Sequence, residues 1–219
     1  CLTSIRGPAT RSCWAQTQGW AAAGRSTCSA PATPGRSSRR QQRLANMGPR
    51  RLAALPAPPD GLDLPDLPLE SFAGVLSRIH RLEHDPLFWG RTGHNRFDAP
   101  DGEYGVLYAA EHFDGAFIES FGDVDLHVLS RNDLGARGVS LLQTKRALRL
   151  VDLAGTGLAR LGLDGRISTG DHSLAQRWSK ALSSHRLQVD GLWFAARHDA
   201  DQRAAAIFDR ASAAVEATP

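Results

Sequence analysis

Between Gly93 and Gly122 the chain reads GHNRFDAPDGEYGVLYAAEHFDGAFIESFG, and within it stand an arginine (Arg96), a tyrosine (Tyr108) and a glutamate (Glu119). A loop-borne guanidinium is a bidentate ligand for phosphate. An aromatic ring gives a heterocycle a flat face, and its hydroxyl can reach a ribose. A carboxylate grips ribose and stabilises positive charge developing at an anomeric carbon. Together these are the groups needed to cut a glycosidic bond in a dinucleotide. Each also has a structural alternative. Arg96 could be a surface or fold-locking cation paired with Asp98 or Asp101, Tyr108 a core tyrosine, and Glu119 an exposed helix glutamate.

The elements that must position these groups can be read from pattern. EYGVLYAAE (103–111) reads as a half-buried strand carrying Tyr108, and NRFDAPDGEYG as the loop that delivers Arg96 to it. DGAFIESFG (114–122) reads as a short helix with Asp114 as N-cap and Gly122 as its stop. Small residues at Gly115 and Ala116, one turn before Glu119, leave room beside that carboxylate. Before this unit, 71–82 reads as a short helix running into a strand and 84–95 as a loop. After it, 124–130, 138–143, 147–153, 191–198 and 204–210 read as strands, and 155–171 as a glycine-punctuated turn region. The helix over 173–185 puts Leu174, Trp178 and Leu182 on one face, with Asp171 or Ser173 as cap. Strands outnumber helices and do not follow βαβ order. The expected fold is therefore α+β, a compact mixed or antiparallel sheet core with a few helices.

Charge divides the chain unevenly. Residues 1–60 hold nine arginines and one acid, Asp60, whereas the rest holds 17 basic and 22 acidic residues, a net of −5. The basic charge thus sits on a Ser-, Pro- and Arg-rich tail and gives no ground for a nucleic-acid partner. That tail is expected to be disordered. The chain's one methionine is Met47, and the expected native start is there or at a later non-Met codon. Residues 53–69 read as a Pro/Asp-rich connector, and 61–219 as one folded domain. All three cysteines lie in the tail, without paired zinc-ligand spacing, so the folded part has no disulfide and no thiolate metal site. No apolar run is long enough to span a membrane, and the protein is expected in the cytoplasm. His80 and His84 do not match a helical zinc motif, and GTGLARLG (155–162) is neither GxGxxG nor a Walker loop.

Several segments together, SRIHR (77–81), NRFDAP (95–100), GVLYAAE (105–111), FIES (117–120), LRLVDL (148–153), QRW (176–178), DGLWFAARHD (190–199) and AIFDR (206–210), resemble the RES domain family in order and content. The resemblance covers 76–210. It implies a fold related to ADP-ribosyltransferases and a toxin of a bacterial toxin–antitoxin pair. It implies that NAD is a consumed substrate, its nicotinamide–ribose bond passed to water, phosphate or a protein, with no recycled cofactor. Arg96 would hold the NAD phosphates or ribose, Tyr108 would contact the nicotinamide ribose, and Glu119 would be the central carboxylate. Phe97 would stack beside them without a hydroxyl to donate.

One departure stands out. The family usually shows Tyr-x-Ser-Arg near the C-terminal end, where this chain has Phe194-Ala195-Ala196-Arg197. Ala196 lies where the family has serine, and it cannot hydrogen-bond. That favours a second function class, a catalytically weakened NAD-binding protein; a third is a protein-modifying ADP-ribosyltransferase, distinguished by label from NAD appearing on protein. A helix-turn-helix antitoxin that blocks the cleft is the implied partner, and self-association is left open.

Overall fold

The computed structural model describes residues 53–62, 64–122 and 128–218. Most of the stretch expected to be a disordered tail, 1–52, lies outside these residues.

Eight strands form one sheet: β1 (Leu69–Phe72), β2 (Val75–Arg81), β3 (Val106–Ala110), β4 (Arg137–Thr144), β5 (Leu148–Leu153), β6 (Gly191–Ala195), β7 (Arg203–Phe208) and β8 (Val215–Thr218). Their order is β1-β5-β6-β7-β3-β2-β4-β8. β5 and β6 run parallel, and the other pairs are antiparallel. Five α-helices are described: α1 (Phe113–Phe121), α2 (Arg131–Gly135), α3 (Gly155–Arg160), α4 (Arg166–Thr169) and α5 (His172–Ser183), with a 3-10 turn at Asp209–Ala214. The architecture is the α+β arrangement expected.

The central strands are covered on both faces, which is why β6 (GLWFA) and β7 (RAAAIF) read as nearly continuous apolar runs. One face packs Val106, Ala110, Val151, Leu192, Phe194 and Phe208 against Ile167, Trp178 and Leu182 of the helical block. The other packs Leu76, Leu107, Leu142, Leu150, Trp193 and Ile207 against Ala211 and Ala214 of the 3-10 turn. Gly191 is required where β6 meets β7, since a Cβ there would stand 2.9 Å from the Ile207 Cα.

The described residues of 53–68 (53–62 and 64–68) lack regular structure but lie against the helical block. Leu67 is buried, and Leu55, Leu62 and Leu64 pack on the first core face. The Trp178 Nε1–H donates to the Pro56 carbonyl at 2.9 Å, and Arg166 donates to that of Ala53 at 2.7 Å.

Four local expectations change, the first being that 155–171, expected as a turn region, holds α3 and α4. The helix expected to begin at 71 is absent: β1 and β2 take its place, because Val75–Arg81 pairs along its whole length with β4. Tertiary pairing outweighs a mixed local pattern there. Of the strand expected over 124–130, residues 128–130 are irregular and 123–127 lie outside the described residues. Asp114 is in the first turn of α1 and not its cap, which is His112. Asp171 does cap α5, accepting from the Ser173 N–H at 3.0 Å.

Candidate active site

The loop before β3 is fixed from below. Asp98 is fully buried, and its Oδ2 accepts from the backbone N–H and side-chain amide of Asn95, each at 3.1 Å, and from Thr92 Oγ1 at 3.2 Å. Its Oδ1 accepts from the Tyr108 hydroxyl at 3.0 Å, and that hydroxyl in turn accepts the Phe97 N–H at 3.0 Å. From α5, Gln176 donates to the carbonyls of Gly93 (2.7 Å) and Asn95 (3.0 Å). His172 Nδ1 lies 3.2 Å from the His94 carbonyl, and Ser179 Oγ donates to that of Phe97 at 2.7 Å. Gly93 adopts φ +71°, the left-handed region open to glycine, where the loop turns under α5.

Held this way, the loop presents Arg96 to a cavity of about 430 Å³ on one face of the sheet. The Arg96 guanidinium donates to the Gly170 carbonyl at 2.7 Å and to that of Ile167 at 3.5 Å, which ties it to the end of α4. Tyr108 and Glu119 line the same cavity, so the three residues singled out by sequence share one space. Lys180 holds Asp101 at 2.7 Å, away from this arrangement.

Glu119 projects from α1. The two buried residues of that helix are Gly115 and Ala116, one turn earlier. A Cβ on Gly115 would stand 3.2 Å from the Ala110 Cβ, so glycine lets the helix lie close on β3. Glu119 Oε1 accepts the backbone N–H of Arg197 at 2.8 Å. Among the described lining residues it is the one carboxylate, in a cavity also lined by Arg81, Arg96, Arg137 and Arg197.

The Tyr108 ring is half-buried and lines the cavity, but its hydroxyl is used inside the protein. Burial, and then the adjacent Asp98 charge, push that hydroxyl's pKa well above its ordinary value. Phe97 does not line the cavity: it is fully buried, its ring 4.8 Å from that of Phe194. Ala196 is buried between Phe194 and Arg197, which do line it, and its N–H donates to the Gln202 carbonyl at 3.0 Å.

Residues that sequence reasoning missed complete the walls. β2 contributes Ser77, Ile79 and Arg81, and β4 contributes Arg137. Their spacing of two is a strand signal, hidden while 71–82 read as partly helical. Arg78 borders the cavity but alternates to the opposite face, where it donates to the Phe88 carbonyl at 3.0 Å. Burial lowers its pKa to about 10, partly opposed by Asp85, so it stays charged at neutral pH. No cluster of His, Cys, Asp and Glu among the described residues could hold a metal ion. No helix among them is long and apolar enough to cross a membrane.

A sequence model of the RES domain matches residues 75–219. No curated protein matches the chain. A solved structure, a chain of the M. tuberculosis MbcT-MbcA toxin-antitoxin complex, is similar in fold, with TM-score 0.57 and 14% identity over 69% of this chain and 84% of that one.

Proposed function

The chain belongs to the RES domain family, and from that premise we propose that it consumes NAD by breaking the bond between nicotinamide and ribose. The carrying observation is one cavity in which Glu119 is the one described carboxylate among arginines on several elements. A positively charged pocket attracts a diphosphate. The lone carboxylate then offers the place for a cation to develop.

Nicotinamide leaves with the bonding electrons and becomes neutral, while positive charge grows on the anomeric carbon. Glu119 opposes that charge, and its Oε1 is already oriented by the Arg197 N–H. Arg96 neutralises phosphate or grips ribose from the 95–98 loop. The Tyr108 ring forms a flat wall, while its hydroxyl keeps that loop in place. An acceptor oxygen from water or phosphate then bonds to the anomeric carbon and loses its proton. The toxin reading, with an antitoxin that covers the cleft, is drawn from the family and from the complex named above.

Ala196 favours a second reading, an NAD-binding protein with weakened turnover, because no hydroxyl is available at that position beside Arg197. Incubation with NAD, with and without phosphate, separates the readings. Nicotinamide release that needs phosphate marks a phosphorylase, and release without it a glycohydrolase. Label transferred from NAD to protein marks an ADP-ribosyltransferase. Saturable binding without release marks the weakened protein, and absence of both binding and release would overturn the NAD assignment.

A further inference from the structure

The reaction proposed above leaves one proton unassigned. An acceptor water must lose it as its oxygen bonds to the anomeric carbon. Glu119 is committed elsewhere: it has to stay charged to oppose the developing cation, and its Oε1 already accepts the Arg197 N–H. The other described lining groups able to take a proton at neutral pH are two imidazoles, His172 and His198.

His172 is the first residue of α5, and its ring is held in one tautomer. The capping carboxylate of Asp171 is engaged with Ser173, accepting its N–H at 3.0 Å and its hydroxyl at 2.7 Å. The His172 Nδ1 lies 3.2 Å from the His94 carbonyl. A carbonyl oxygen only accepts, so Nδ1 carries the hydrogen. In the neutral ring the lone pair is then on Nε2, which has no hydrogen-bond partner among the described residues. The side chain is exposed, so water reaches it. Two residues earlier, the Gly170 carbonyl accepts from Arg96. One short stretch thus anchors the arginine and presents an imidazole acceptor, while Glu119 enters the same cavity from α1. His198 is placed differently, packed at the end of α1, where a Cβ on Gly122 would stand 2.6 Å from its ring.

Resting on the NAD reading above, we infer that His172 is the general base of the reaction and that water is therefore its acceptor. Nicotinamide leaves neutral with the bonding electrons. The water oxygen bonds to the anomeric carbon, one of its O–H bonds breaks, and that proton passes to His172 Nε2. The Nδ1–H bond to His94 keeps the ring in place as it becomes charged. The imidazolium then returns the proton to solvent, so the products are ADP-ribose, nicotinamide and one proton. A phosphate dianion brings its own nucleophilic oxygen and needs no such base.

The test follows nicotinamide release from NAD by the full chain in phosphate-free buffer, for the wild type, His172→Ala and His172→Asn, with calorimetric titration of NAD into each. Asparagine keeps a donor for the His94 carbonyl and removes the base, so it separates chemistry from support of the loop. Both variants should lose about 10²-fold or more in kcat, the usual share of general base catalysis, with NAD affinity little changed. Added imidazole should restore part of the rate to His172→Ala. Wild-type turnover in the asparagine variant would overturn the base and leave His172 a positioning residue. A loss in His172→Ala that imidazole does not repair would overturn it as well. So would a wild type that binds NAD yet releases nicotinamide only with phosphate or not at all, and in that case NAD binding still stands. A wild type that neither binds nor cleaves NAD would defeat the NAD reading itself.

Discussion

The hydroxyl of Tyr108 donates a 3.0 Å hydrogen bond to Oδ1 of the buried Asp98. The same oxygen accepts the Phe97 N–H. One side chain on β3 thus fixes the two residues that follow Arg96, so the tyrosine and the arginine act as a unit although they lie on different elements.

Tyr108→Phe keeps the ring and removes that link. It leaves the Phe97 N–H without this acceptor and Asp98 Oδ1 without this donor. The expected cost is about 1–3 kcal/mol of stability, read from urea unfolding. NAD affinity should fall with it, because Arg96 would no longer be held toward the cavity. Unchanged stability would show that the bond is not made.

The chain has two tyrosines, and both are shielded. Burial, opposed by the Ser179 hydrogen bond, pushes Tyr104 up to about 12, and Tyr108 is also raised well above 10.0. Each hydroxyl binds its proton more tightly in the folded chain than in the unfolded one. Their contribution to stability is therefore fully present below about pH 10 and is lost as pH rises through the folded values. Absorbance titration should show no tyrosinate near pH 10 in the native protein, and two in denaturant. A native tyrosine ionising at the ordinary value would contradict the buried geometry.

Glu119→Gln preserves shape and keeps an oxygen for the Arg197 N–H while removing the charge. Turnover should drop on the order of 10²–10³-fold, with the melting temperature nearly unchanged because Glu119 is exposed. Nicotinamide release at the wild-type rate would end the proposed mechanism.

Ala196→Ser returns a hydroxyl to the position where the family has serine. If that group acts on the transition state, kcat should rise by as much as about 10²-fold with little change in KM. Equal kcat in the two proteins would show that this chain reached full activity by another route.

The described residues of 53–68 lie before the span of the RES domain match yet pack against the helical block that anchors Arg96. Trp178→Phe removes the hydrogen bond to the Pro56 carbonyl. It should cost about 1 kcal/mol and speed proteolysis within 53–68, followed by mass spectrometry. An unchanged cleavage pattern would argue that the segment is held by its leucines alone.

Much of this was legible in the sequence, for local reasons. Val106–Ala110 has the composition of a strand, Trp178 and Leu182 mark a helix face, and Arg96, Tyr108 and Glu119 lie close enough along the chain to read as one unit. The resemblance to the RES family rested on the same short segments. Tertiary structure decided what depends on pairing between distant segments. β2 is a strand because β4 lies beside it along its whole length, and only that pairing brings Arg81 against Arg137. It also decided directions. Alternation sends Arg78 to the far face, the core takes Phe97, and the Tyr108 hydroxyl turns inward to Asp98. Residue type announces which chemistry is available, but side-chain direction follows from register and packing, and these exist only once the sheet has closed.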